Sequence, residues 1–104
     1  MAKPRFSRRA ERDLQGIGEY TLRTWGEQQA ARYINELEKC CQILADNPAL
    51  GRRCDEVRPG LRRLERGKHV VFYRQEPSGV LISRILHQRM LPDRYATSDQ
   101  EDEP

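Results

Sequence analysis

The sequence predicts an α+β fold, a helical hairpin packed on one face of an antiparallel sheet (β-α-α-β-β-β), and two observations carry that expectation. Between Arg8 and Asp46 apolar residues recur at helical spacings. From Leu61 to Leu86 the chain is rich in β-branched and aromatic residues, in short runs parted by turns. At 104 residues the natural count is one domain with one modest core. Residues 1–95 are assigned to that domain and 96–104 to a disordered acidic tail.

The elements follow in order. Lys3–Phe6 is short and contains Pro4, which lacks an amide donor, so it is an edge strand at best. Ser7 can cap a helix from Arg8 to about Trp25, on which Ala10, Leu14, Ile17 and Thr21 form one face. Gly16 and Gly18 weaken it by roughly 1 kcal/mol each and suggest close approach of another backbone. Gly26 ends this helix. A second helix runs from near Glu27 to about Asp46, with Ala30, Ile34, Leu37, Cys41 and Leu44 as its seam. Asn47-Pro48 stops it, and so short a link between helices makes an antiparallel hairpin. Asn47 to Gly60 reads as a loop or a single helical turn. Strands are expected at Leu61–Glu65, His69–Arg74 and Val80–Leu86, joined by turns short enough to force antiparallel neighbours.

Composition narrows the function classes. No stretch approaches the ~20 apolar residues of a membrane span, and no apolar run follows the N-terminal Met1-Ala2-Lys3-Pro4-Arg5, so a cytoplasmic location is expected. Cys40, Cys41 and Cys54 have no metal-ligand spacing and read as reduced thiols, with Cys41 in the core. Neither metal nor cofactor is expected. The net charge is +3, but four acids fall at Asp99, Glu101, Asp102 and Glu103, and setting them aside leaves 19 basic against 12 acidic residues. From Arg52 to Arg94 there are 11 Lys/Arg and 5 Asp/Glu. Such a surface suits a polyanion or an acidic protein partner, and equally a merely solvated face.

Six blocks then resemble one family in order and spacing: Ala10-Glu11-Arg12-Asp13-Leu14 with Ile17, Tyr20 and Trp25-Gly26; Gln29-Ala30, Tyr33 and Leu37; Leu44 with Asn47-Pro48-Ala49-Leu50-Gly51-Arg52; Arg58-Pro59-Gly60-Leu61-Arg62-Arg63; His69 to Arg74; and Arg84-Ile85-Leu86-His87-Gln88-Arg89-Met90. Together they resemble the ParE branch of the RelE/ParE toxin superfamily. The resemblance implies a strand–helix–helix–three-strand fold, a ParD-like antitoxin encoded beside the toxin, and DNA gyrase as the poisoned target. The related RelE-like toxins cut mRNA on the ribosome, and that endoribonuclease activity is the alternative.

A nuclease needs an acid/base pair and cations against the developing phosphate charge. The candidates are Arg62, Arg74, Arg84 and His87, with Arg63 and Tyr95 also considered. In an unbent strand, parity places Arg84 and His87 on opposite faces, whereas a bulge near Leu86 would let them converge. His87 reads more readily as a residue that hydrogen-bonds backbone and fixes the segment after it, and His69 as a turn or sheet-edge residue. No small-molecule substrate is expected. The antitoxin is expected along the hairpin, at Leu14, Ile17, Tyr20, Leu22 and Trp25, with Leu14 and Ile17 also candidates for the core. The target is expected at an exposed end comprising Arg84, His87, Arg89, Met90 and Arg94.

Overall fold

The computed structural model describes residues 2–90. Its elements are β1 (Lys3–Phe6), α1 (Arg8–Trp25), α2 (Glu27–Asp46), β2 (Arg52–Arg53), β3 (Leu61–Arg66), β4 (His69–Glu76), β5 (Gly79–His87) and a 3-10 turn, Gln88–Met90. The sheet order is β1-β5-β4-β3-β2. β1 lies parallel to β5, and the other pairs are antiparallel. The helical hairpin covers one face, as the fold class requires.

Local chemistry sets the helix boundaries. Ser7 is fully buried, and its Oγ accepts the Ala10 amide at 3.0 Å while donating to the Ser83 carbonyl at 2.8 Å. One side chain thus caps α1 and ties it to β5. Gly26 joins α1 to α2 at φ 91°, a conformation that disfavours any residue with a Cβ. The glycines inside α1 do not receive a backbone. Gly16 has nothing near its Cβ position, and Gly18 meets only the Ile34 side chain at 3.7 Å, an ordinary contact.

The pleat divides the core. Val71, Tyr73, Val80, Ile82 and Ile85 face the helices with Ala10, Cys41 and Leu44. Val70, Phe72 and Leu86 belong to a second cluster with Cys54 and Leu61. All three cysteines are buried, free thiols, and burial pushes Cys41 up to about 12. Helix-facing positions Val80 and Ile82 are even, but Ile85 is odd. The register explains this: Tyr73 pairs with Ile82 but Phe72 with Arg84, leaving Ser83 as an extra residue. This β-bulge reverses the parity of the last part of β5. It falls at Ser83, earlier than the position near Leu86 considered from sequence.

The 47–60 segment is not all loop, because β2 pairs with β3. The buried Tyr73 hydroxyl holds it, donating to the Pro48 carbonyl at 2.7 Å and accepting the Gly51 amide at 2.8 Å. A Cβ at Gly51 would stand 2.6 Å from that hydroxyl oxygen and 2.7 Å from the Arg63 carbonyl, so only glycine fits.

Candidate functional site at the α1–β5 end of the sheet

Asp13 on α1 organises this end of the molecule. Its carboxylate accepts Arg84 Nε at 2.8 Å, Arg84 Nη2 at 3.0 Å and the Ile85 amide at 2.9 Å. The Arg84 and Asp13 side chains are only 8% and 15% exposed, so this is a buried, bidentate ion pair. The expected exposed end therefore does not include Arg84. The Asp13 carboxylate holds its guanidinium against α1.

Beside the pair, β4 begins and β5 ends with facing histidines. His69 lies directly opposite His87, and their rings meet edge to face with centroids 5.2 Å apart. Tyr33 on α2 places its hydroxyl 2.6 Å from His69 Nδ1 and accepts the Lys68 amide at 3.3 Å. Hydroxyl and imidazole share this one hydrogen bond, and which of them donates follows the His69 tautomer. The Arg89 amide donates to His87 Nδ1 at 3.1 Å, so that nitrogen accepts. His87 thus fixes the 3-10 turn, with the backbone amide rather than the imidazole as donor. His69 is on an inner strand of the sheet, not an edge. Burial, then the neighbouring His87, lowers its pKa to about 4 against an opposing pull from Asp13.

A cleft of about 360 Å³ opens over this cluster, walled by Arg12, Asp13, Ile17, Tyr20, His69 and His87. Gly16 also lines it, and having no side chain it leaves the space open. A second groove, of about 700 Å³, runs between the hairpin and β1, and there Leu14 faces Phe6, Gly18 and Ile34. A smaller recess joins Trp25, Tyr33 and Lys68.

The residues predicted for an antitoxin therefore do not share one surface. Leu14 and Ile17 pack partly on the core. Tyr20, Leu22 and Trp25 are 60%, 47% and 65% exposed. Tyr20 and Leu22 point about 160° apart around α1, as helical geometry dictates for neighbours two residues apart. Of the residues predicted for a target, His87 is half-buried at the cleft and Arg89 is exposed. The Met90 side chain, Arg94 and Tyr95 lie outside the described residues. The nuclease candidates are not gathered. Arg62 donates to the Gly51 carbonyl at 2.6 Å, at the β2 edge. Arg74 stands five residues along β4 from His69, roughly 17 Å away.

Sequence reasoning gave no role to Asp13 or Tyr33. A signal existed: Asp13 falls three residues after Ala10 and four before Ile17, so it is an acid on the apolar stripe. Tyr33 falls three after Ala30 and four before Leu37.

Comparison with known proteins agrees with this architecture. Residues 5–92 match the family described as ParE toxin of type II toxin-antitoxin system, parDE. Toxin ParE1 of Mycobacterium tuberculosis (strain ATCC 25618 / H37Rv) is 44% identical over 86 residues, covering 82% of this chain and 88% of that protein. Toxin ParE1 of Caulobacter vibrioides is also 44% identical over 86 residues, covering 83% and 88%. Toxin ParE of Escherichia coli is 40% identical over 84 residues, covering 78% and 80%. Among solved structures, a chain of the chromosomal ParDE TA system from P. aeruginosa superposes with a TM-score of 0.70 at 24% identity, covering 84% of this chain and 96% of that one. A chain of the RelBE2 toxin-antitoxin complex from Mycobacterium tuberculosis gives 0.63 at 21% identity, covering 83% and 96%. These two likenesses speak to the fold. With a family match across most of its length and relatives at 44% identity, the chain belongs to the ParE toxin family of type II toxin–antitoxin systems.

Proposed function

We propose that the protein stops growth by binding DNA gyrase and is held in check by a ParD-like antitoxin, acting in the cytoplasm by recognition rather than by catalysis. One observation carries the choice between binding and cutting: the groups a nuclease would need at this cleft already have partners within the chain. Asp13 holds Arg84, Tyr33 hydrogen-bonds His69 Nδ1, and the Arg89 amide takes the lone pair of His87 Nδ1. A general base needs a lone pair free to reach its proton. Family membership supports the rest of the reading. The antitoxin is assigned to the Leu14 groove, to half-buried Ile17 and to the exposed side chains of Tyr20, Leu22 and Trp25, apolar ground of the kind an amphipathic segment covers. The target is assigned to His87 and Arg89, where β5 leaves the sheet, together with Met90 and Arg94. Arg84 supports that end from beneath.

Purified protein added to gyrase and plasmid is expected to inhibit supercoiling and trap cleaved DNA. Intact gyrase activity together with cut mRNA on ribosomes would transfer the assignment to the endoribonuclease alternative. Trp25→Ala and Tyr20→Ala are each expected to weaken the antitoxin complex by about 1 kcal/mol or more. Calorimetric titration showing wild-type affinity for both would remove the antitoxin from that surface.

A further inference from the structure

On the β2–β3 edge, four arginines meet on one two-residue pairing: Arg52 lies opposite Arg63, and Arg53 opposite Arg62. Like charges directly opposed on a sheet repel. Acids and carbonyls hold these in place. Glu65 Oε2 accepts Arg52 Nη2 at 2.8 Å and Arg63 Nη2 at 2.9 Å. Asp55 Oδ2 accepts Arg53 Nε at 2.8 Å, and the Gly51 carbonyl accepts Arg62. The guanidiniums are oriented but outnumber their acids. From Arg52 to Glu76 there are eight Lys/Arg and four Asp/Glu. Arg52 and Arg53 remain 66% and 69% exposed. A recess of about 240 Å³ lies among Arg53, Asp55, Gly60 and Arg62, with the Asp55 carboxylate already holding Arg53 and the Gly60 amide.

We propose that this edge docks on the phosphate backbone of duplex DNA, without reading its sequence. Arginine's planar fork matches phosphate oxygens two at a time. Opposed residues share a face of the pleat, so Arg52 and Arg63 present to one side and Arg53 and Arg62 to the other. From Arg62 to Arg66 the strand rises about 13 Å, the axial length of roughly four base-pair steps. An unpaired strand fits less well, because it is held by stacking on aromatic rings. Phe72 and Tyr73, the aromatics of the neighbouring strand, are buried. An acidic peptide fits less well too, since such segments bring apolar anchors. Of the exposed large apolar side chains among the described residues, Tyr20, Leu22 and Trp25 are on α1, Ile43 is on α2, and Leu50 adjoins this edge. The inference concerns DNA itself and holds whichever enzyme the toxin stops.

The test is fluorescence anisotropy of the full chain with a labelled ~20-bp duplex of arbitrary sequence, over a series of salt concentrations. Affinity is expected to fall linearly in log–log form. R52Q/R53Q is expected to weaken binding about tenfold near 100 mM salt and to flatten the slope by about two. R52K/R53K keeps the charge and is expected to recover most of the affinity, which separates lost contacts from lost folding. R23Q/R32Q removes the same charge from exposed helix positions and is expected to bind within about twofold of wild type. Absence of duplex binding at about 50 mM salt, equal losses from both charge-removing pairs, or tighter binding of a single strand or a Glu-rich peptide would each overturn the proposal.

Discussion

The two ends of the sheet use arginine in opposite ways. At the α1–β5 end, Arg84 is buried and locked by a bidentate carboxylate. At the β2–β3 edge, Arg52 and Arg53 hold acids yet stay largely in water. The residue type is the same, but the surroundings decide its work. In low dielectric an arginine is committed to its partner, and removing that partner is costly. In water an ion pair contributes little to stability, and the charge stays available to an outside ligand. The α1–β5 end therefore gains rigidity and the β2 edge gains reach.

The largest expected effect breaks the rigid end. Asp13→Ala leaves the Arg84 guanidinium buried without its carboxylate and is expected to cost about 3–5 kcal/mol, read from the urea unfolding midpoint. A loss below about 1 kcal/mol would mean the pair behaves as a surface pair, and the contrast would disappear. Next comes the anchor of the reaching edge. Tyr73→Phe removes the hydroxyl from the Gly51 amide and the Pro48 carbonyl and is expected to cost about 1–3 kcal/mol. Hydrogen exchange at Arg53 and Cys54 is expected to rise with it. If exchange rises equally throughout the sheet, the hydroxyl stabilises the whole fold rather than that edge.

The smallest effect concerns pH. His69 is neutral in the folded state down to about pH 4, whereas in the unfolded chain it takes its proton near 6.5. The unfolded state therefore binds more protons between those values. The stabilisation is complete above about pH 6.5 and is lost as pH falls through about 4. Partial exposure of the ring limits the change to about 1–2 kcal/mol. His69→Gln is expected to flatten this part of the stability profile, measured by urea titrations at several pH values. An unchanged profile would assign the acid sensitivity elsewhere.

The sequence was most legible where periodicity speaks. The Ala10–Thr21 and Ala30–Leu44 spacings located both helices, and the β-branched runs located three strands. The first strand was visible only as a possible edge, because a parallel partner far along the chain leaves no local trace. β2 was missed because two arginines in a Pro/Gly-rich stretch have neither alternation nor an apolar face. The site was less legible than the fold, for two reasons. One extra residue at Ser83 reverses the parity after it, and no alternation pattern announces such an insertion. An arginine in a strand is most simply placed in water, so Arg84 was assigned to an exposed end. The clue to its burial lay on another element, in the acid on the apolar stripe of α1.

Replacing Asp13 and Arg84 together tests the central claim most directly, with gyrase-mediated DNA cleavage as the readout. In D13L/R84M an apolar pair of similar bulk takes the place of the ion pair, and such exchanges often preserve folding. If Arg84 acts through the fold and the target is met by the His87–Arg89 end, the double variant folds and still traps cleaved DNA at close to the wild-type level. A double variant that folds as stably as wild type yet traps no cleaved DNA would show that the Arg84 guanidinium itself meets the target.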